Sequence, residues 1–280
     1  MKKFLGSSAG LCLLLTGLTL TAPAASAQDQ AAAMAPPPKV LQIVVESPKP
    51  GQSGSPHIKT ESAFVQAFKS ANWPTHYFGM DALTGPSRAL FFVAYDSFEA
   101  WQKDIEATAK NASLSAALDS AAVADGPLLN SLETSAYVLR DDLSLRAPVP
   151  ADHFHYIEVS LFRIRPGHGK DWEDLVKMYI AAYQKIPTAH WATFEKMYGT
   201  ESGSRYIAVT PMKSLAEVDQ EMLNDKAFAS TVSEEDRRKM RELTAATIES
   251  VESSLFAVNP KMSYPLDTWV KADSTFWNAQ

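Results

Sequence analysis

The 280-residue sequence predicts an α+β fold built from two tandem split βαβ units whose sheets face each other to form one barrel. Three observations predict it. A strand-like run at 40–45, Lys49-Pro50-Gly51 and a helical stretch at 62–70 return as a strand at 156–164, Arg165-Pro166-Gly167 and a helix at 170–184. Ser87-Arg88 before the run 89–95 answers Ser204-Arg205 before 206–212 at an offset of 117, and Ser131-Leu132-Glu133 answers Ser250-Val251-Glu252 at an offset of 119. A pattern repeated at one long period with little drift is the signature of a duplicated unit. Finally, Ile157, Val159 and Leu161 alternate with Glu158, Ser160 and Phe162, the period of a strand, while Leu175, Met178, Tyr179 and Ala182 recur at helical spacing.

Taken in chain order, the first element is an export signal over residues 1–27. Lys2 and Lys3 precede an apolar stretch at 11–20, and Ala25-Ser26-Ala27 stands before Gln28 as the cleavage site. The apolar stretch falls short of the roughly 20 residues needed to span a bilayer. The protein is therefore expected to be exported, periplasmic or extracellular, and free of the membrane after cleavage. A proline-containing leader at 28–38 has no periodic apolar face and is expected to be disordered. Two ferredoxin-like repeats follow at 39–145 and 153–264, joined by a linker at 146–152 and trailed by a C-terminal tail at 265–280.

In the second repeat a strand at 191–198, the turn at 199–203, a third strand at 206–210, a helix introduced by Ser214 and Glu217, and a helix at 234–250 before the last strand give the order β-α-β-β-α-α-β. A sheet of this kind leaves one face bare. With Val40, Val44, Tyr156 and Phe162 on that face, two repeats bury it against each other as an intrachain pseudo-dimeric α+β barrel, with Glu158 and Gln42 pointing into the space between the sheets.

Composition narrows the function. The single cysteine, Cys12, leaves with the signal, so disulfides and thiolate chemistry are excluded from the mature chain. The formal charge of −6 becomes −8 once Lys2 and Lys3 are removed, which disfavours nucleic acid as a partner. The chain is expected to be a monomer or a weak homo-oligomer.

Arg165-Pro166-Gly167-His168 after a strand, with Lys170-Asp171-Trp172-Glu173 opening a helix, resembles the dimeric α+β barrel superfamily. That group includes antibiotic-biosynthesis-type monooxygenases, NIPSNAP-like proteins and stress-responsive barrel proteins. The resemblance covers about residues 40–264 and implies the fold, while the superfamily spans cofactor-free oxygenases, haem enzymes and members with no known reaction. Its haem-binding members commonly present an axial histidine from a helix packed on the sheet. The six histidines here, His57, His76, His153, His155, His168 and His190, all read as lying outside helix interiors, so no cofactor is expected and haem is disfavoured.

No metal site is expected either, because H-E-x-x-H is absent and His153 and His155 read as solvated residues at the start of a strand. The G-x-S-x-G elbow of serine hydrolases is also missing. Glu158 and His190 are the candidate catalytic bases. Tyr179, Tyr183, His190, Trp191 and Glu195, with His76 and Tyr77 in the first repeat, are the candidate ligand-binding residues, since aromatic walls around a titratable group suit a small apolar ligand. The leading expectation is a binding or structural module that holds a small hydrophobic ligand. The alternative is a cofactor-independent, monooxygenase-like enzyme acting on a small hydrophobic or aromatic substrate.

Overall fold

A computed structural model describes residues 34–200 and 203–279. The expected export signal and most of the leader lie outside them. The described chain forms an α+β fold around a closed, wholly antiparallel eight-stranded barrel. The strands are β1 (Val40–Pro48), β2 (Tyr77–Ala82), β3 (Ala89–Tyr95), β4 (Leu129–Leu139), β5 (Tyr156–Ile164), β6 (Ala192–Tyr198), β7 (Arg205–Met212) and β8 (Ile248–Val258). The helices outside are α1 (Ser55–Ser70), α2 (Phe98–Lys110), α3 (Ala112–Asp125), α4 (Gly169–Tyr183), α5 (Ala216–Thr231) and α6 (Glu234–Thr247). Two short C-terminal helices follow, α7 (Asp267–Ala272) and α8 (Ser274–Trp277). Among the described residues, no helix is long and apolar enough to cross a membrane.

Around the barrel the order is β8-β2-β3-β1-β4-β6-β7-β5, with β5 closing on β8. The first four strands thus stand as β4-β1-β3-β2 and the last four as β8-β5-β7-β6. The seams pair Val138 with Glu195 and Phe256 with Ala82, so one chain completes the barrel.

The interior is a packed core. Leu41, Ile43, Ile157, Phe194, Ile207 and Phe256 form one buried cluster there, with Val159 and Leu161 packed against it. This corrects the expected faces of the strands. Glu158 does not point between the sheets; it faces outward beneath α5, where it bonds Glu221. Val44 and Phe162 also belong to the clusters under the helices, Phe162 lying 4.8 Å from Trp172 between ring centres. Alternation sorts a strand's side chains into two sets without saying which set is inside. The apolar set of β5, Ile157, Val159 and Leu161, turns toward the interior cluster, and the set bearing Glu158 and Ser160 turns outward, where these polar side chains find partners.

Three element boundaries also differ from expectation. Helix α1 starts at Ser55, seven residues before the expected start, with Pro56 in its first turn, where a missing N–H costs nothing. Helix α6 stops at Thr247 because Ile248 onward joins the ladder to β5. Met34 and Ala35, expected within the disordered leader, pair with Pro150 and Val149 of the expected linker. The tail packs rather than trailing: Trp277 joins the interior cluster, and Trp269 stacks on Phe78 and Phe154 at 4.3 and 4.5 Å.

Candidate functional site

A groove of about 320 Å³ lies between residues 146–153, the turn after α4 and helix α5. Pro148, Val149, Pro150 and Pro187 give it apolar walls, and His153, His190 and Glu221 supply titratable groups. Glu221 reaches the groove because α5 lies across the outer face of β5, with Glu217 and Glu221 one turn apart on the same helix face.

Behind Glu221 stands Glu158, and the two carboxyls share a hydrogen bond. Burial, then the charge of Glu158 and that bond, push Glu221 up to about 8. Two carboxylates in contact cannot both ionise cheaply, so Glu221 keeps its proton at neutral pH. Ser160 Oγ donates to Glu158 Oε1 at 3.0 Å and fixes the inner carboxylate.

The shared proton ties stability to pH. The folded value of Glu221, about 8, lies above an unfolded value near 4.3, so the shared proton stabilises the fold fully below pH ~4.3 and this contribution is lost as pH rises through 8. Glu221→Gln keeps a donor toward Glu158 and cannot ionise. With allowance for partial exposure, the variant is expected to be about 1–2 kcal/mol more stable than wild type at pH 8.5 and equal to it at pH 4. Thermal melts from pH 4 to 8.5 check this; parallel curves would place the pair in open solvent.

The structure brings together the two expected bases only in part. His190 lines the groove, while Glu158 reaches it through Glu221. The His190 ring is held between backbone carbonyls, Nδ1 at 3.0 Å from Thr188 O and Nε2 at 2.9 Å from Pro211 O. Both ring nitrogens are thus turned onto the protein's own backbone.

The expected aromatic walls serve as packing. Tyr179 and Tyr183 both stack on Phe228 of α5, and Tyr183 Oη donates to Asp225 at 2.7 Å. Trp191 meets Tyr183 edge-on at 5.8 Å and donates Nε1–H to Leu143 O. Glu195 accepts from Arg140, which also grips Asp142 and Glu173. His76 stacks on Tyr264 at 4.6 Å on the far half of the barrel. His153 and His155 take separate partners: His153 bonds Asp152, and His155 Nε2 lies 2.5 Å from Asp273.

Tyr77, the last of the expected ligand-binding residues, borders a second constellation. His57 and Glu61 stand on successive turns of α1, facing Glu46 from β1 and Asp125 from the end of α3, and all four are buried. This corrects two expectations. A histidine does sit in a helix, hidden because α1 was expected to start after it, and the donors form a set able to hold a metal ion. The signal that could have found it is the i, i+4 spacing of His57 and Glu61, which becomes visible once Ser55-Pro56 is read as a helix start. The space is too close for a porphyrin, since His57 is 1% exposed and its Nε2 already lies 2.8 Å from Glu46 Oε2.

No protein-family model matches the chain, and no curated protein matches it. Among solved structures, the chain is similar to a putative monooxygenase from Lactobacillus acidophilus, at 12% identity and TM-score 0.46, over 78% of this chain and 93% of that one. It is similar to a mutant chlorite dismutase from Candidatus Nitrospira defluvii, at 9% identity and TM-score 0.46, over 88% and 99%. A third is a heme-binding protein from Thermus thermophilus, at 10% identity and TM-score 0.40, over 87% and 100%. These likenesses assign no role to any residue here. The names in this set are those of enzymes and a heme-binding protein, which runs against the leading expectation of a merely structural module. The expectation of no cofactor is corrected by the buried His/Glu/Asp cluster, whose donors could hold a metal ion.

Proposed function

We propose that this protein is a monooxygenase-like enzyme for a small hydrophobic or aromatic substrate, with the Glu158–Glu221 carboxyl pair moving the proton. The observation that carries the reading is a carboxyl pair holding one proton at neutral pH and opening on a groove with apolar walls. A value of about 8 suits a group that must both take and return a proton near neutrality. As substrate loses a proton to Glu221, Glu221 passes its own to Glu158, and the pair goes from one proton to two. The resulting electron-rich anion is the form of the substrate that reacts with dioxygen. A methylene carbon thereby becomes a carbonyl: the pair returns its one extra proton to the peroxide, and as the O–O bond breaks the carbon's remaining hydrogen leaves as a proton, so that the second oxygen departs as water. The test is oxygen uptake by the purified protein with a panel of small hydroxylated aromatics, wild type against Glu221→Gln.

The chain's history and destination belong to the same reading. The strand orders β4-β1-β3-β2 and β8-β5-β7-β6 support descent of both halves from one ferredoxin-like unit. Export is supported by Lys2, Lys3, the apolar run and Ala25-Ser26-Ala27. The intact mass of protein recovered outside the cytoplasm is expected to correspond to a chain starting at Gln28; a lipid-bearing N-terminus at Cys12 would contradict this.

A further inference from the structure

We propose that Glu46, His57, Glu61 and Asp125 bind one divalent first-row transition-metal ion, of the class of manganese(II), iron(II) or zinc(II), at a site separate from the groove. Three packed elements supply the donors: the outward face of β1, the inner face of α1 and the C-terminal end of α3. From His57 Nε2, carboxylate oxygens of Glu46, Asp125 and Glu61 lie at 2.8, 3.8 and 3.9 Å, and one donor atom from each residue fits within 4.8 Å of the others. With metal–ligand bonds of about 2.0–2.2 Å, donors around one ion stand roughly 3 to 4.3 Å apart. The cage is thus close to the dimensions of a coordination shell, its tightest pair a little short and its widest a little long.

Two stranded atoms point to a ligand beyond the acidic cluster itself. Glu61 Oε1 and Tyr77 Oη are buried with no hydrogen-bond partner, an arrangement native interiors rarely leave unexplained. Both adjoin the same space: Glu61 is 4% exposed and turned toward His57, and Tyr77 is raised by burial and by the charges of Glu61 and Glu46. A cation among the carboxylates would satisfy Glu61 and draw the phenol oxygen as a further donor. A supporting bond is in place, since Thr60 Oγ1 donates to Asp125 Oδ1 at 2.6 Å and orients that carboxylate. One imidazole and three carboxylates, with no thiolate, exclude soft copper(I). The dry setting disfavours magnesium, which keeps its waters.

Proton bookkeeping agrees with the geometry. Burial, then the charges of Glu46 and Asp125, push Glu61 up to about 9. Burial opposes a charge on His57, but the hydrogen bond and charge of Glu46 outweigh it, and the net direction is upward. Ligation needs a carboxylate at Glu61 and a free nitrogen lone pair at His57, so binding a divalent ion displaces protons from the site.

The experiment uses the tag-free chain stripped with EDTA and titrated with Mn²⁺, and separately with Zn²⁺, by calorimetry in two buffers of different ionisation enthalpy, with thermal melts alongside. One ion per chain, release of protons, and a Tm that climbs with metal concentration are expected. Glu61→Gln preserves the shape and the uncharged form that Glu61 has without metal, so it should melt like EDTA-treated wild type. Its affinity for the same ions should fall at least about 100-fold. Glu221→Gln should bind metal as wild type does, which keeps this result distinct from any failure of the groove reading. Wild type that binds neither ion at millimolar concentration, or Glu61→Gln that binds as tightly as wild type, would overturn the proposal.

Discussion

Replacing Glu221 by Gln is expected to lower kcat by roughly 10²- to 10⁴-fold, the usual contribution of a positioned acid–base group. Glu221 is the carboxyl that faces the groove, and Glu158 is hydrogen-bonded behind it. An amide in place of Glu221 holds the fold but can neither receive the substrate proton nor hand one inward. Glu158→Gln should cost a similar factor by removing the acceptor, and the double variant should be no worse than either single one, because the pair acts as a unit. In wild type, kcat/KM should fall as pH rises through about 8, where Glu221 loses the proton it relays, and this dependence should vanish in Glu221→Gln. Steady-state oxygen uptake across pH 5 to 9 measures all of this. Unchanged turnover in Glu221→Gln would remove the pair from the chemistry. KM that rises while kcat holds would reduce its role to binding.

Trp277→Ala is expected to destabilise the fold by about 3–5 kcal/mol, the range for deleting a large buried aromatic. Trp277 is 8% exposed and belongs to the barrel's interior cluster, where it stacks near Phe78 at 5.7 Å. The tail is tied to the barrel at a second point. Asp273 meets His155 Nε2 at 2.5 Å, and Phe276 stacks on the same ring at 3.9 Å. Loss of the indole leaves a void that the rigid ladders of β2 and β5 with β8 cannot collapse to fill. In a domain of this size the loss corresponds to a fall in Tm of roughly 6–20 °C. Denaturant and thermal unfolding of the variant check it. A change below 1 kcal/mol would mean that the tail rests on the barrel without closing it.

The sequence by itself determined the α+β class, the order of strands and helices, and the alternation of β5, because period and punctuation are local properties of a chain. Ile157, Val159 and Leu161 announce a strand wherever that strand goes. Which face of β5 is inside was decided only by the closed barrel, whose sealed interior excludes Glu158 and sends it to α5. The same holds for the sites. Glu158 and His190 could be singled out as titratable groups in an apolar setting, but Glu221 stands 63 residues beyond Glu158 and gains meaning only when α5 crosses β5. Tyr179 and Tyr183 have the spacing of an aromatic wall, yet Phe228, distant in sequence, covers them as core. His57 and Glu61 were within local reach through their helical spacing, whereas Glu46 and Asp125 join them only when β1 and α3 pack on α1. A side chain's acidity and availability are set by the neighbours that folding brings to it, and the local sequence carries no record of those distances.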